Sequence, residues 1–179
     1  MIINAEMAFK ADGSAYLSNG GVFNATITKA KVYSAESGVK GIEFAFDTTG
    51  GKCDFVKVMT KNRDGSENFN IAHIHALGVL LGINELVVKD SQISNFLDKQ
   101  IGIALQREDY QKNDGSLGYK FNLLHFFDAT TLQTAREKHE NKAPSTSQRE
   151  VKDKRILKEN LPQNQNQGYS SEPDSDLPF

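Results

Sequence analysis

Aromatic and cationic side chains alternate along several short stretches of this sequence. Each stretch combines at least one ring with at least one cation, and the residues are Lys29, Lys31, Tyr33, Phe55, Lys57, Lys61, Arg63, Arg107, Tyr110, Lys112, Tyr119 and Lys120. Rings can stack on unpaired bases, and cations can follow the phosphates of the same strand. The alternation therefore predicts a surface that binds single-stranded nucleic acid.

The same rings could instead fill a hydrophobic core, because a small β-domain must fill its interior with large side chains. The phenylalanines that we expect to favour the core are Phe44, Phe46, Phe55 and Phe121. A phenol hydroxyl tolerates contact with water. The tyrosines that we expect on the binding surface are therefore Tyr33, Tyr110 and Tyr119.

Residues for catalysis or metal binding do not occur at productive spacings. His73 and His75 are two positions apart on a predicted helix, so their side chains point in different directions and cannot share a metal. We find no set of nucleophile, base and acid. The sequence therefore predicts a protein that is not an enzyme and that needs no metal or cofactor.

The last eight residues, 172–179, form a second candidate site. Acidic residues precede an apolar end, and the candidate docking residues are Asp174, Asp176, Leu177, Pro178 and Phe179. A small pocket could take the terminal ring while a cation binds the α-carboxylate. Proline stiffens such a peptide and lowers the entropy lost on docking. This segment is predicted to dock on other proteins.

This ending resembles the acidic C-terminal tip of bacterial and phage single-stranded DNA-binding proteins. The resemblance implies an OB-fold core that coats single-stranded DNA. It also implies a tip that recruits proteins of DNA replication, recombination and repair. The core looks similar to a phage or prophage type. The standard bacterial type usually starts its first strand near its first residues, whereas here about twenty residues precede the first predicted strand.

Hydrophobic periodicity in residues 1–128 predicts the order β-β-β-α-β-β. The predicted strands are 22–34, 39–47, 52–61, 99–110 and 117–128, and the helix follows an N-cap at Ser66 and ends near Gly82. This is the order of the OB-fold, a five-stranded Greek-key barrel that belongs to the all-β class and has one main helix. The alternative is an open α+β sheet with one covering helix, which the order alone does not exclude.

Composition divides the chain into three parts. All four prolines lie beyond residue 143, whereas thirteen of the fourteen glycines lie before residue 119. We therefore expect a nucleic-acid-binding domain at 1–128, a flexible basic and polar linker at 129–171, and the acidic tip at 172–179. Residues 129–160 carry a net charge of +3, and residues 161–179 carry −3. The tail is expected to be disordered and the stretch 148–161 to be a solvated segment.

The single cysteine, Cys53, excludes an intramolecular disulfide and favours a reducing cytoplasm. No apolar stretch is long enough to span a membrane, and no secretory signal is visible, so a cytoplasmic protein without a membrane partner is expected. The sequence leaves self-association into a homo-oligomer open. Two alternatives to a coating protein also stay open: a strand-annealing or recombination mediator, and an OB-like protein-interaction module that does not bind DNA.

Overall fold

A computed structural model describes residues 15–156 of the chain. Its strands are β1 (Gly21–Ser34), β2 (Lys40–Thr48), β3 (Gly51–Lys61), β4 (Val88–Lys89), β5 (Gln92–Ile93), β6 (Gln100–Gln111) and β7 (Leu117–Phe127). Its helices are α1 (Ile71–Leu81) and α2 (Ala135–His139), and a 3-10 turn spans Ser94–Phe96. The docking residues predicted in 172–179 lie outside the described residues.

The strands form one antiparallel sheet around β1. Residues 25–34 of β1 pair with β2, and residues 21–26 pair with β6. β2 pairs with β3 and β6 pairs with β7. The two-residue strand β5 pairs with β1 at Lys31 and with the two-residue strand β4 on its other side. The predicted all-β class is confirmed, with five long strands and helix α1 between the third and the fourth of them.

The sheet is not closed into a hydrogen-bonded barrel. β3 and β7 lie next to each other, but no ladder joins them within residues 15–156. Buried Val56 and Val58 on β3 and Phe121 on β7 belong to one hydrophobic cluster. Side-chain packing therefore holds the two outer strands together, and a seam between them stays open to solvent.

Alternation along the strands places large rings in the core. Phe44 and Phe46 are stacked with their ring centroids 5.6 Å apart, and Phe126 meets the edge of Phe44 at 6.0 Å. These rings and Phe121 are buried, so the expectation that Phe44, Phe46 and Phe121 belong to the core is confirmed. Phe55 is different, because the residue is 69% exposed. The expectation that Phe55 fills the core is wrong.

Helix α1 begins later than the sequence predicts. Ser66 does not cap the helix, because its backbone N–H and its hydroxyl both donate to Asp64 Oδ1 in the preceding turn. The helix begins at Ile71, after Asn70. Its end matches the prediction, because Gly82 adopts a left-handed φ of 67°. Glycine reaches this conformation without the steric penalty that a Cβ imposes.

The residues after β7 contact the sheet as far as Ile156. The N–H of Lys154 donates to the Arg107 carbonyl and the N–H of Asp109 donates to the Lys154 carbonyl, both at 2.8 Å. The Asp153 carboxylate accepts the N–H groups of Gly20 and Arg107 at 3.0 to 3.1 Å. This stretch therefore lies along the outer edge of β6, an arrangement that its charged sequence did not indicate.

Gly102 supports the core through close packing, and replacing it is expected to destabilise the fold. A Cβ at this position would lie 2.0 Å from the ring of Phe127, which is buried. We expect Gly102→Ala to lower the free energy of unfolding by about 1–3 kcal/mol, as is typical of overpacking. Urea denaturation followed by circular dichroism measures this change.

Gly115 provides the matched control, because a Cβ added there would meet no other atom within 4 Å and its φ is 82°. Asparagine tolerates that φ. Gly115→Asn should therefore change the unfolding free energy by less than about 0.5 kcal/mol. Equal stability of Gly102→Ala and the parent would contradict this packing argument.

Candidate nucleic-acid interface

An irregularity in β3 turns Phe55 out of the core. The β2–β3 register shifts between Phe44 and Phe46, which pair with Val56 and Cys53. Two residues of β3 therefore face one residue of β2, which is the arrangement of a β-bulge. Phe55 lies in this bulge with a φ of 62°. A left-handed conformation costs a non-glycine residue roughly 1–2 kcal/mol, so the fold keeps an exposed ring in a strained position.

Two cations, a carboxylate and a second ring form a connected set with Phe55 on the outer face of the first three strands. Lys29 Nζ lies 5.6 Å from the centroid of the Phe55 ring, and Lys57 Nζ lies 5.2 Å from that of Tyr33. Glu43 lies between the lysines, with Oε1 2.6 Å from Lys29 Nζ and Oε2 3.8 Å from Lys57 Nζ. We call Lys29, Tyr33, Glu43, Phe55 and Lys57 the basic–aromatic face.

A cleft of about 440 Å³ opens beside this face, at the seam between β3 and β7. We call it the seam cleft, and its lining residues are Tyr16, Leu17, Lys52, Cys53, Asp54, Phe55, Tyr110, Tyr119, Lys120 and Phe121. Its volume falls in the range of small-molecule sites. Phe55 belongs both to the cleft and to the basic–aromatic face. The structure thus brings predicted residues from β1, β3, β6 and β7 into one connected surface.

The other predicted cations lie around this surface or away from it. Lys31 pairs with Glu43 in the β1–β2 register and is exposed. Lys61 and Arg63 are exposed at the far end of β3. Lys112 is exposed in the β6–β7 turn. These four cations could extend a phosphate path, but the side-chain contacts of the basic–aromatic face do not include them.

The side chain of Arg107 contacts groups of the protein itself. Its Nε donates to Asp109 Oδ1 at 2.7 Å, and its Nη1 donates to the Ser18 carbonyl. Its guanidinium also stacks on the Tyr119 ring, with Cζ 4.1 Å from the centroid. The hydrogen bond from Arg107 is the largest cause that lowers the pKa of the Asp109 carboxyl. Arg107 therefore holds the wall of the seam cleft through contacts within the protein.

Sequence reasoning missed Tyr16, Lys52 and Glu43. Tyr16 is 63% exposed, and backbone bonds on both sides of it attach its segment to β3. The N–H of Leu17 donates to the Lys52 carbonyl at 2.8 Å, and the N–H of Lys52 donates to the Ala15 carbonyl at 3.0 Å. No local signal could find this contact, because 36 positions separate the bridged residues Tyr16 and Lys52. Glu43 was visible only as one of the polar residues that alternate along β2.

Cys53 lies at the floor of the seam cleft and is buried. Burial, with a smaller contribution from the Asp54 carboxylate, raises the pKa of its thiol to about 12. The thiolate is the nucleophilic form of cysteine. Cys53 is therefore a neutral packing residue at neutral pH. The rings and charges of the other lining residues are the groups through which the cleft could contact a ligand.

Glu43 competes with any anion for Lys29 and Lys57, which gives a prediction with a clear sign. We expect Glu43→Gln to strengthen binding of an oligonucleotide by about 3- to 10-fold at low salt, because two partly exposed cations become available to phosphates. The salt dependence of binding should also become steeper. Fluorescence anisotropy of a labelled strand at several salt concentrations measures both quantities.

Glu140 is the matched control, since it forms ion pairs with Arg136 and Lys142 around helix α2. Glu140→Gln removes the same charge at a site outside the basic–aromatic face. Weaker binding by Glu43→Gln, with the control unchanged, would mean that the carboxylate orients the lysines for the ligand instead of occupying them.

The described part of the chain offers neither a metal-ligand cluster nor a membrane-spanning helix. Between residues 15 and 156, no group of three or more His, Cys, Asp or Glu side chains is placed to hold a metal ion. No helix in the same range is long and apolar enough to cross a membrane. A scan of protein-family models and a search of curated proteins found no match to this chain.

Proposed function

We propose that this chain is a single-stranded DNA-binding protein of a phage or prophage type. The observation that carries the proposal is the exposed Phe55 ring, held at a φ of 62° with Lys29 above it. Strained backbone concentrates at functional sites. An exposed ring beside cations is what stacking on unpaired bases and pairing with phosphates require.

The arrangement of the long strands supports an OB-like architecture for this protein. β1 lies between β2 and β6, and β3 lies next to β7. A five-stranded Greek-key barrel places its strands in these positions, and the barrel of the OB-fold is partly open. The open seam between β3 and β7 is compatible with that description. The proposed binding surface lies on the outer face of β1, β2 and β3 and in the seam.

The proposed binding mechanism is non-catalytic. Bases stack on Phe55 and on the tyrosines of the seam cleft, and each stacked base contributes about 1–3 kcal/mol. Phosphates displace Glu43 from Lys29 and Lys57 and release counterions from the strand. Stacking tolerates any base, so the protein coats strands with little dependence on their sequence.

Competition binding tests the proposed substrate class. Labelled oligo-dT should be displaced by unlabelled single strands at concentrations at least about tenfold lower than by a duplex of the same length, because a duplex hides its base faces. Equal competition by the duplex would contradict the proposal. Faster pairing of complementary strands in the presence of the protein would instead favour the strand-annealing alternative.

The proposed partners of the segment 172–179 are proteins of DNA replication, recombination and repair. Its acidic residues would steer it to basic sites, and its apolar end would fill a small pocket. We expect deletion of 172–179 to leave the affinity for oligo-dT unchanged or to raise it about two- to fivefold, because three carboxylates no longer repel the strand. Capture of those partner proteins should disappear.

The control for this deletion keeps the length of the segment 172–179 and removes most of its acidic and apolar side chains. Replacing Asp174, Asp176, Leu177 and Phe179 by serine should reproduce the loss of partner capture. Pull-down with purified replication and recombination proteins measures capture, and anisotropy measures DNA binding. A loss of DNA binding on deletion would contradict the division of labour between the sheet and the segment 172–179.

An apolar groove favours a second candidate function, a protein-interaction module. The groove has a volume of about 490 Å³ and lies between helix α1 and the sheet. Val32, Val79 and Val88 line it and are exposed. Exposed apolar surface of this kind is typical of interaction sites. This candidate predicts that oligo-dT does not bind at any salt concentration.

A further inference from the structure

We propose that the seam cleft takes one unpaired base, which turns away from the path of the bound strand to enter between β3 and β7. This inference rests on the proposed function, since it assigns a place to one nucleotide of the strand. It goes further because the proposed function only stacks bases on exposed rings, whereas here one base enters the cleft between the strands. Insertion needs a cavity, rings on several of its sides, and a way to open.

The lining of the cleft suits a flat group. Five rings line it, and four segments contribute them: Tyr16 before β1, Phe55 on β3, Tyr110 on β6, and Tyr119 and Phe121 on β7. Contacts within the protein fix the Tyr119 ring, because Arg107 stacks on it and Phe121 meets it edge-on at 5.7 Å. Tyr16 and Phe55 are largely exposed. A base could therefore enter past exposed rings and rest against a fixed one.

The charges of the cleft suit a nucleotide, with one carboxylate and two cations in the lining. Asp54 is part of the lining, and Lys52 and Lys120 are exposed lining residues. A carboxylate repels a phosphate but accepts a hydrogen bond from a base N–H. The two lysines can bind the phosphates on either side of the inserted nucleotide. The polarity of the site thus fits a base inside and the backbone outside.

The cleft can widen without breaking backbone pairing between its two walls. No backbone ladder joins β3 to β7 in residues 15–156, so separating these strands breaks no ladder hydrogen bond. The segment with Tyr16 bridges them through strong backbone bonds to Lys52 on β3. To β7 the described part of this segment is attached by one long hydrogen bond, from the Tyr119 hydroxyl to the Leu17 carbonyl at 3.4 Å, and by packing of Leu17 in the cluster that contains Phe121. Opening of the cleft would break this hydrogen bond and shift Leu17.

Two oligonucleotides of equal length, oligo-dT and an abasic strand, distinguish contacts to the bases from contacts to the backbone. We expect Tyr16→Leu and Tyr110→Leu to weaken binding of oligo-dT about 5- to 30-fold each, and to leave binding of an abasic oligonucleotide unchanged within about twofold. Phe69→Leu is the control, because Phe69 is 83% exposed and does not line the cleft. It should bind both ligands as the parent does.

Photocrosslinking of the unaltered protein provides a second readout that does not depend on variants. An oligo-dT with 5-iodouracil at one position should crosslink to Tyr16, Tyr110 or Tyr119. Parent-like oligo-dT binding by both leucine variants would overturn the inference, and so would crosslinks confined to other residues. Suppression of these crosslinks by free thymidine monophosphate, at the same concentration as the oligo-dT, would overturn the assignment of this site to a bound strand. Failure of the parent to bind oligo-dT would instead refute the proposed function.

Discussion

Replacement of Phe55 by glycine is expected to weaken binding of single-stranded DNA by about 10- to 100-fold without destabilising the fold. The lost affinity corresponds to one stacked base. Stability should be unchanged or higher by up to about 1 kcal/mol, because glycine adopts a φ of 62° without strain and the exposed ring buries little surface. Most losses of a large aromatic residue destabilise a protein, so this combination is diagnostic.

Anisotropy with labelled oligo-dT measures the affinity, and urea denaturation measures the unfolding free energy. Phe55→Asn is the matched variant, since asparagine also tolerates a left-handed φ but cannot stack as a phenyl ring does. Both variants should lose affinity, whereas Phe69→Leu should not. Parent-like affinity of the glycine variant for oligo-dT would mean that Phe55 does not belong to the interface. A stability loss above about 2 kcal/mol would mean that the ring supports the core after all.

Replacement of Glu137 by glutamine is expected to lower the unfolding free energy by about 2–4 kcal/mol at neutral pH. The carboxylate is buried in the segment after β7 and accepts six hydrogen bonds, two each from Thr134, Ser145 and Thr146. Hydrogen bonds to charged groups are worth more than neutral ones. An amide offers one acceptor oxygen and turns an NH₂ group toward donors, so several partners lose their bonds.

The same carboxylate gives the stability a pH dependence of known sign. Burial raises the pKa of Glu137, but the hydrogen bonds from Thr134, Thr146 and Ser145 outweigh burial and hold the pKa far below its ordinary value of 4.5. A group with a depressed pKa in the folded state stabilises the fold above its unfolded pKa. This stabilisation is therefore fully present above about pH 5 and declines as the pH falls below 4.5.

Urea denaturation of the parent and of Glu137→Gln at pH 7 and pH 3 tests both statements. The difference between the two proteins should be large at pH 7 and smaller at pH 3, where the parent has lost part of its advantage. Glu140→Gln, on the exposed surface of the same segment, should change stability by less than about 0.5 kcal/mol. A constant difference at the two pH values would contradict the role of the ionised carboxylate.

The order of the long strands along the chain could be predicted from the sequence. Apolar and polar residues alternate wherever one face of a strand is buried and the other contacts water. Ile42, Phe44 and Phe46 on β2 illustrate this, since they repeat every second residue and all are buried. The end of helix α1 at Gly82 was also readable, because only a left-handed residue closes the helix there. These signals are local, and each lies within a few residues.

The rest of the site could not be predicted because it depends on an irregularity and on contacts between distant residues. The bulge in β3 changes which face follows Cys53, so Phe55 lies outside although its large apolar ring favoured the core. The seam cleft joins Tyr16 to β3 and β7, and Lys154 lies along β6. Neither pairing leaves a periodic pattern in the sequence.

The most direct test of the central claim is a titration of labelled oligo-dT with the full chain at low ionic strength. The exposed rings and cations of the basic–aromatic face and the seam cleft predict saturable binding that weakens steeply as salt is added, because phosphate contacts release counterions. The absence of saturable binding at low salt would contradict the account.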